Sequence, residues 1–336
     1  MAKTFIIAEA GVNHNGSIQI ARKLIDQAKN AGADAVKFQT FKTEKLVTQK
    51  AHKAEYQKRT TAATESQFDM IKRLELSEND HVELMSYCKE KKIEFLSSPF
   101  DLDSADLLFR LGVQRFKIPS GEITNPAYLE EIARKGKPLI LSTGMSSLAE
   151  VAEALDVIFS VGNHQVCLLH CVTEYPAPFN EINLRAMQTM KAAFQVPVGY
   201  SDHTPGIEIP LAAVALGAEV IEKHFTLDRG MEGPDHKASL EPGELAMMIQ
   251  AIRHVEQALG NGFKNPAPCE LKNIAIARKS VVAARPIRKG EALSSDSITV
   301  KRPGNGIPPK FAKLLVGLKV NSDINADDVI FWEHLK

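Results

Sequence analysis

The sequence predicts a closed (β/α)8 barrel followed by a small second domain, and three observations support this prediction. Eight short, apolar, strand-like runs occur before residue 263. Segments with helical periodicity separate these runs, and such alternation is typical of a parallel sheet. After residue 263 the alternation stops, and short β-branched runs alternate with Gly/Pro turns. Eight strand–helix units in about 260 residues match a closed barrel in both count and length.

The eight strand-like runs are seven to ten residues long and are bounded by turn residues or helical segments. Short apolar runs of this kind are typical of strands that are buried on both faces. They are residues 5–11, 35–41, 93–100, 115–122, 138–144, 166–175, 197–203 and 220–226.

Helix signals lie between the strand-like runs. Ala21, Leu24, Ile25 and Ala28 follow the i, i+3, i+4, i+7 spacing, and Gly32 stands where the helix should end. Two helix starts are also indicated: Asn125 followed by Pro126 is a cap with proline in the first turn, and Ser147 with Glu150 fits a capping box. A final helix is indicated by the apolar stripe Leu245, Met248, Ile249, Ile252 and Leu259.

The predicted domain boundaries follow the change in sequence pattern near residue 263. Residues 1–262 form the barrel, 263–278 form a Pro-containing linker, and 279–336 form the second domain. A doubly wound open sheet is the alternative for the first part, but its usual G-x-G-x-x-G turn after the first strand is absent. The long connection 42–92 begins with a polar, loop-like stretch, and we expect it to pass over one mouth of the barrel.

Composition excludes several classes of function. Forty-one Lys and Arg balance 41 Asp and Glu, so we expect no nucleic-acid partner. No apolar run of about 18 residues is present to span a membrane, and the N-terminus reads as a first strand rather than a signal peptide. Four cysteines suggest no disulfide framework, which favours a reducing, cytoplasmic location.

Polar residues are concentrated near the carboxyl ends of the predicted strands, where the active sites of barrel enzymes lie. A charged side chain in an apolar strand is costly, so each needs a partner or a ligand. Two cations with several hydroxyls suit a phosphate and a carboxylate, and two neutral imidazoles suit a divalent metal. These residues are Glu9, Lys37, Gln39, Ser98, Lys117, Ser120, Glu122, Thr143, Tyr175, Ser201, His203, Glu222 and His224.

Nine motifs in order resemble the sialic acid synthase (N-acetylneuraminate synthase) family, which includes the legionaminic acid synthases. They are AEAGVNHNGS, VKFQTFK, FKIPSGEI, LSTGM, TEYPAPF, YSDHT, EKHFT, GPDHKASL and KRPGNG. The resemblance implies a barrel followed by an antifreeze-like (SAF, β-clip) domain. It also implies condensation of phosphoenolpyruvate with an N-acetylmannosamine-type aldose, which gives N-acetylneuraminate and phosphate by C–O cleavage.

The resemblance also assigns roles to individual residues. His203 and His224 would hold Mn²⁺ or Mg²⁺, which activates the aldehyde, and Glu9 would act as the catalytic carboxylate. The residues matching the phosphoenolpyruvate-binding positions are Lys37, Ser98, Lys117, Ser120, Thr173 and Ser201. The residues matching the sugar contacts are Gln39, Glu122, Tyr175, Asp235 and Arg302. Arg302 would come from the partner subunit of a domain-swapped homodimer.

Three alternatives remain open from the sequence. A legionaminic acid synthase would use 2,4-diacetamido-2,4,6-trideoxymannose in place of the simpler amino sugar. A Schiff-base aldolase on the same barrel would use Lys117 or Lys37 as its nucleophile, but it leaves the two histidines without a role. A non-catalytic carbohydrate-binding protein would leave the charges at the barrel mouth unexplained.

Overall fold

The computed structural model describes residues 3–54, 57–58, 61 and 65–336. The chain divides into two compact units, Met1–Gly260 and Asn261–Lys336. The first unit contains eight parallel strands in the order β3-β2-β1-β8-β7-β6-β5-β4. Strands β3 and β4, at the two ends of this order, also contact each other, so the sheet forms a nearly closed barrel. The predicted barrel is therefore confirmed.

All eight barrel strands are short, as the sequence predicts. They are β1 (Phe5–Gly11), β2 (Ala35–Thr40), β3 (Glu94–Pro99), β4 (Phe116–Ile118), β5 (Leu139–Ser142), β6 (Val166–His170), β7 (Val198–Asp202) and β8 (Val220–His224).

Several polar residues that we expected at strand ends lie just beyond the strands. The chain after β4 turns into a 3₁₀ helix, Ser120–Glu122, and Tyr175 lies five residues beyond the end of β6. His203 follows β7, whereas His224 is the last residue of β8. At these positions the chain has left the hydrogen-bonded ladder of the sheet and continues as a 3₁₀ helix or a loop at the barrel mouth.

Helices of the first unit separate successive strands or extend the connections between them. They are α1 (Ile18–Ala31), α2 (Thr43–Leu46), α3 (Gln67–Lys72), α4 (Glu78–Lys91), α5 (Leu102–Leu111), α6 (Pro126–Arg134), α7 (Leu148–Ser160), α8 (Arg185–Phe194), α9 (Glu208–Ala215) and α10 (Pro242–Leu259). The predicted capping box of Ser147 and Glu150 begins α7, and Asn125 caps α6 with Pro126 in its first turn. Gly32 ends α1 in the left-handed conformation, with φ 88°.

The barrel interior is layered from apolar to polar along the strand direction. A small apolar cluster of Ile7, Ala35, Leu96, Ile140, Leu169 and Val220 fills one level. Because side chains alternate along a strand, the residue two positions later faces the same way. At the next level, this alternation brings in Glu9, Lys37, Ser98, Ser142, Cys171 and Glu222. The apolar level is a packed floor, and the polar level above it opens at the carboxyl end of the barrel.

The second unit contains an antiparallel pair, β9 (Ser280–Ala283) and β10 (Ile298–Lys301), around its own apolar core. Its helices are α11 (Leu271–Ala277) and α12 (Ala312–Leu315). The segment 263–278, which we predicted to be a linker, therefore contains a helix, because no glycine or proline interrupts residues 269–277. None of the helices that the structure describes is long and apolar enough to cross a membrane.

Candidate active site

A cavity of about 360 Å³ opens at the carboxyl ends of the barrel strands. Twelve residues to which the family resemblance assigns a role line it, together with Ser142, Cys171 and Glu222. The twelve are Glu9, Lys37, Gln39, Ser98, Lys117, Ser120, Thr173, Tyr175, Ser201, His203, His224 and Asp235. The structure thus brings together residues that are up to 226 positions apart in the sequence.

Two lysines and two carboxylates form a buried charge cluster on the cavity floor. Lys37 Nζ donates to Glu9 Oε1 at 2.5 Å and to Ser98 Oγ at 3.1 Å. Glu222 lies between the lysines, with one oxygen 3.7 Å from Lys37 Nζ and the other 3.3 Å from Lys117 Nζ. Ser201 Oγ donates to the same Glu222 oxygen at 2.9 Å. Each charge is therefore partnered before any ligand binds.

The charge states of this cluster follow from its pairing. Burial by itself would raise the pKa of Glu9, but the ammonium groups of Lys37 and Lys117 outweigh it and hold the pKa below its ordinary value. Burial would likewise lower the pKa of Lys37, but Glu222 and Glu9 outweigh it and raise the pKa. Both groups are therefore charged at neutral pH.

The rings of His203 and His224 lie 5.5 Å apart, and Tyr175 packs 4.1 Å from the first and 5.6 Å from the second. Burial and the proximity of His224 lower the pKa of His203 to about 3. Burial and the Lys37 ammonium group lower the pKa of His224 to about 3 as well. Both imidazoles are therefore neutral at pH 7, the state in which histidine binds metals.

Hydrogen bonding assigns the free nitrogen of each ring. His203 Nδ1 lies 2.6 Å from the Val172 carbonyl oxygen, which can only accept, so Nδ1 carries the proton and Nε2 is left as an acceptor. His224 Nε2 lies 3.4 Å from Glu9 Oε2, a carboxylate oxygen that accepts, so Nε2 carries the proton of the neutral ring. The buried Nδ1 of His224 has no hydrogen-bond partner within the described residues. Each ring therefore presents one unprotonated nitrogen.

The buried, unpartnered Nδ1 of His224 is costly unless a ligand satisfies it, and His203 offers Nε2 as an acceptor on a ring 5.5 Å away. The two histidines therefore fit a divalent metal. The described residues contain no group of three or more His, Cys, Asp or Glu side chains that could hold a metal. A metal here would have the two histidines as protein ligands, and water and substrate would complete its coordination.

The pKa of Asp235 lies well above that of an aspartate in water. The side chain is buried, and burial together with the nearby Glu9 carboxylate raises its pKa to about 7, against the opposing effect of Lys37. Near neutral pH it therefore exists in both protonated and ionised forms, which suits a group that exchanges a proton with a substrate.

Hydroxyl groups and a backbone amide surround the remaining side of the cavity. Gly144 N donates to Ser120 Oγ at 2.9 Å, and Cys171 Sγ lies 3.2 Å from the same oxygen. The Thr173 hydroxyl is buried and has no partner within the described part of the chain. A ligand with several acceptor oxygens would satisfy these donors.

Replacing Gly144 by alanine should damage this wall of the cavity. A Cβ there would lie 2.2 Å from Thr173 Oγ1 and 2.9 Å from both Cys171 Sγ and Ser120 Oγ. Because a misplacement of about 1 Å costs about a hundredfold in rate, we expect Gly144→Ala to lower kcat/KM by about that factor. Steady-state kinetics measure the loss, and Gly243→Ala, whose Cβ would meet no atom within 4 Å, is the matched control. Equal rates for the two variants would contradict the assignment of this wall.

Two predicted sugar contacts do not line the cavity in this chain. The Glu122 carboxylate accepts a hydrogen bond from Asn125 Nδ2 at 2.8 Å, beside the start of α6. Arg302 belongs to the second unit, where its Nε donates to the Ala277 carbonyl oxygen at 2.9 Å. The contact that Arg302 would make in a partner subunit stays a prediction.

Comparison with protein-family models decides the family. The NeuB family model matches residues 24–264, and the SAF domain model matches residues 278–336. The chain belongs to the NeuB family. The predicted resemblance to the sialic acid synthases, with a C-terminal SAF domain, is thereby confirmed.

Similar proteins cover nearly all of this NeuB-family chain. An N,N'-diacetyllegionaminic acid synthase from Campylobacter jejuni is 55% identical over 98% of this chain and 99% of its own length. A protein of the same name from Legionella pneumophila is 48% identical over 99% and 94%. The crystal structure of an N-acetylneuraminic acid (sialic acid) synthetase from Leptospira borgpetersenii, in complex with citrate, has a TM-score of 0.71 and 37% identity. Its alignment covers 81% of this chain and 90% of that one.

Sequence reasoning listed Glu222 among the polar strand-end residues without giving it a role, and it missed the apolar wall of this NeuB-family cavity. Alternation placed Glu222 on the strand face of His224, but its position between Lys37 and Lys117 could not be read from the sequence. The apolar wall could not be read from the sequence, because its residues come from separate connections. They are Val12, Phe41, Leu46, Val47, Met70, Ile71, Leu74 and Phe100. Several belong to the described part of the connection 42–92, which therefore lines the barrel mouth as expected. Residues 55–56, 59–60 and 62–64 of this connection lie outside the described residues.

Proposed function

We propose that this enzyme condenses phosphoenolpyruvate with the open-chain aldehyde of an N-acetylated amino sugar, giving a nine-carbon 2-keto sugar acid and phosphate. One observation carries the proposal. Four buried polar atoms that make no hydrogen bond within the described residues belong to side chains lining one cavity, which also holds two lysines. They are Ser142 Oγ, Thr173 Oγ1, Glu222 Oε2 and His224 Nδ1. Such atoms are costly unless a ligand satisfies them.

Phosphoenolpyruvate would occupy the side of the cavity that carries the cations and hydroxyls. The ammonium groups of Lys37 and Lys117 would neutralise its carboxylate and phosphate. Hydroxyls from the surrounding strands and loops would donate to the remaining oxygens. The hydroxyl groups are those of Ser98, Ser120, Thr173 and Ser201.

His203 Nε2 and His224 Nδ1 would hold Mn²⁺ or Mg²⁺ beside this site. When bound, the ion supplies a Lewis acid that polarises the sugar aldehyde. Glu9, held ionised beside Lys37 and 3.4 Å from His224, would accept a hydrogen bond from the water that adds to the substrate. Asp235, whose pKa is about 7, would donate a proton to the oxygen of the reacting aldehyde.

In this reaction a C–C bond forms and a C–O bond breaks. The enol carbon of phosphoenolpyruvate bonds to the aldehyde carbon, and the aldehyde oxygen takes a proton to become a hydroxyl. Water adds to the resulting cationic carbon, and phosphate leaves with the bridging oxygen. The remaining hydroxyl loses its proton and becomes the keto group.

The sugar would contact Gln39, Tyr175 and Asp235. Glu122 would contact it only after its side chain leaves its present hydrogen bond with Asn125.

The charge state of the lysines argues against a Schiff-base aldolase. A lysine nucleophile must be neutral, which usually requires a lowered pKa. Lys37 instead has a raised pKa and is paired with Glu9, and Lys117 lies 3.3 Å from Glu222. Both lysines therefore suit anion binding rather than covalent attachment.

For the sugar, we propose 2,4-diacetamido-2,4,6-trideoxymannose, with N-acetylmannosamine as the second candidate. Two observations support this choice. The two relatives named as N,N'-diacetyllegionaminic acid synthases cover 98% and 99% of this chain at 55% and 48% identity. The apolar cavity wall, which includes Leu46, Met70 and Leu74, suits the methyl group at C6 and the additional acetamido methyl. N-acetylmannosamine instead carries a hydroxyl at C6.

The test uses phosphoenolpyruvate labelled with ¹⁸O in its bridging position. We expect phosphate release only when phosphoenolpyruvate, the amino sugar and a divalent metal are all present, and we expect the label to appear in phosphate. Label retained in the keto acid would overturn C–O cleavage, and trapping of the enzyme by pyruvate and borohydride would support the aldolase. Assays of both sugars side by side should give the higher kcat/KM for the diacetamido sugar. A preference for N-acetylmannosamine would reverse the choice.

We also propose that the enzyme acts in the cytoplasm as a domain-swapped homodimer, with Arg302 of one subunit reaching the sugar in its partner. The support is the resemblance of the KRPGNG motif to that of the family. Sedimentation measurements test the dimer. Mixed dimers that carry Arg302→Ala in one subunit and His224→Ala in the other test the reach between subunits.

A further inference from the structure

A second buried ion pair joins β7 to β8 outside the cavity. Asp202 and Lys223 are register partners at the ends of these strands, and neither exposes any of its side chain. Lys223 Nζ donates to Asp202 Oδ2 at 2.5 Å. Neither residue lines the cavity, because each points to the strand face opposite its neighbouring site residue.

The pair also holds the residue that follows His203. Lys223 Nζ donates to the Thr204 carbonyl oxygen. Asp202 Oδ1 accepts from Thr204 N at 3.0 Å and from Thr204 Oγ1 at 2.9 Å. The short segment from Asp202 to Thr204, with His203 at its centre, is therefore tied at both ends to the residue that precedes His224.

Stability alone does not account for this arrangement. Removing two charges from water is costly, and a buried ion pair is often no more stabilising than well-packed apolar residues of similar volume. The pair does, however, hold the chain at the end of β7 at a defined distance from the chain at the end of β8. The two histidines that line the cavity, His203 and His224, sit on these two chain segments.

We propose that Asp202, Lys223 and Thr204 are positioning residues that fix the separation of the His203 and His224 nitrogens and thereby set the affinity of the metal site. This inference rests on the proposed metal-dependent function. Residues that orient metal ligands without touching the metal typically contribute about 10- to 100-fold to metal affinity. We therefore expect loss of this network to weaken metal binding without a large loss of stability.

The test compares Mn²⁺ binding by the full chain with that of the double variant Asp202→Asn/Lys223→Met, without substrates. Asparagine keeps an oxygen for Thr204, and methionine keeps most of the length of the lysine side chain. Because both replacements are neutral, no unpaired charge is left buried. We expect Kd for Mn²⁺, measured from the electron paramagnetic resonance signal of the free ion, to rise about 10- to 100-fold. The melting temperature should remain near that of the parent.

The matched control neutralises another cross-strand ion pair at the opposite end of the barrel. Arg115 bonds Glu94 through two nitrogens at 2.8 and 3.1 Å, near the starts of β4 and β3. Glu94→Gln/Arg115→Gln should leave Mn²⁺ affinity unchanged. Equal affinity in the parent and the Asp202→Asn/Lys223→Met variant would overturn the inference.

Three further outcomes bear on the inference or on the function it rests on. If the double variant melts far below the parent, Thr204→Val decides, because it removes the hydroxyl bonds to Asp202 and leaves the charges paired. An affinity loss of a few fold in a folded Thr204→Val protein supports positioning, and an unchanged affinity overturns it. Absence of Mn²⁺ binding in the parent would overturn the metal assignment itself and this inference with it. A parent that binds Mn²⁺ but releases no phosphate would contradict only the proposed reaction.

Discussion

Replacing His224 by alanine should lower the rate of phosphate release by about a thousandfold or more, while the barrel stays folded. The variant removes Nδ1, one of the two nitrogens that would hold the metal, and Lewis-acid activation is worth several kcal/mol of barrier. His224 is buried beside Glu9 and Tyr175, so a small cavity replaces the ring without breaking a β-sheet hydrogen bond. Steady-state phosphate release and circular dichroism measure activity and fold separately.

Metal removal should have the same effect reversibly. A site with two protein ligands holds its ion less tightly than one with three or four, so EDTA should abolish turnover and added Mn²⁺ or Mg²⁺ should restore it. His254→Ala, which changes an exposed histidine on α10, is the control and should behave like the parent. Full activity in EDTA, or a normal rate for His224→Ala, would show that the two histidines have another role.

Replacing Lys37 by methionine should affect both stability and phosphoenolpyruvate binding. Lys37 partners Glu9 at 2.5 Å and lies 3.7 Å from Glu222, and all three side chains are buried. Removing one partner of a buried ion pair typically costs about 3–5 kcal/mol, because a charge is left without compensation. The KM for phosphoenolpyruvate should rise as well, since the variant loses one of the two cations that we propose bind its acidic groups.

The stability loss in Lys37→Met should depend on pH in a defined direction. Without the Lys37 ammonium group, of the two lysines only Lys117 still opposes the effect of burial, and we expect the pKa of Glu9 to rise above its value in the unfolded chain. The folded state then binds more protons than the unfolded state between these two pKa values, so the free energy of unfolding falls as pH rises through that window. Urea unfolding of the parent and variant at pH 5 and pH 8 should show the larger difference at pH 8.

An exposed lysine provides the control for this experiment. Lys45 pairs with Asp103 on the surface, and both side chains are half exposed or more. Surface ion pairs contribute little, so Lys45→Met should leave the unfolding curve and the kinetics nearly unchanged. An equally small effect of Lys37→Met would contradict the view that the cluster is a coupled unit.

Much of the fold followed from local patterns. The spacing of Ala21, Leu24, Ile25 and Ala28 predicted the buried face of α1, and all four are buried. The Ser147 and Glu150 pair predicted the start of α7. Alternation predicted that Lys37 and Glu222 would share strand faces with Gln39 and His224, and all four line the cavity. Such patterns are readable because each depends on residues only a few positions apart.

The charge states of the site were not readable from the sequence. Asp235 has a pKa near 7 because it is buried close to Glu9, which lies 226 residues earlier in the chain. The tautomer of His203 depends on a carbonyl oxygen of Val172 in another loop. The sequence placed Glu222 beside His224 but could not show that it lies between Lys37 and Lys117.

Local patterns along the chain indicated the eight strand–helix units, the change of domain near residue 263 and the residue types at each strand end. The folded barrel determines which of these residues meet, which nitrogens and oxygens make no hydrogen bond, and which groups carry a charge. The difference comes from the range of the forces involved. Periodicity and capping act within a few residues of one segment. Desolvation and Coulomb interactions depend on distances that are set only when the barrel brings all eight strand ends together.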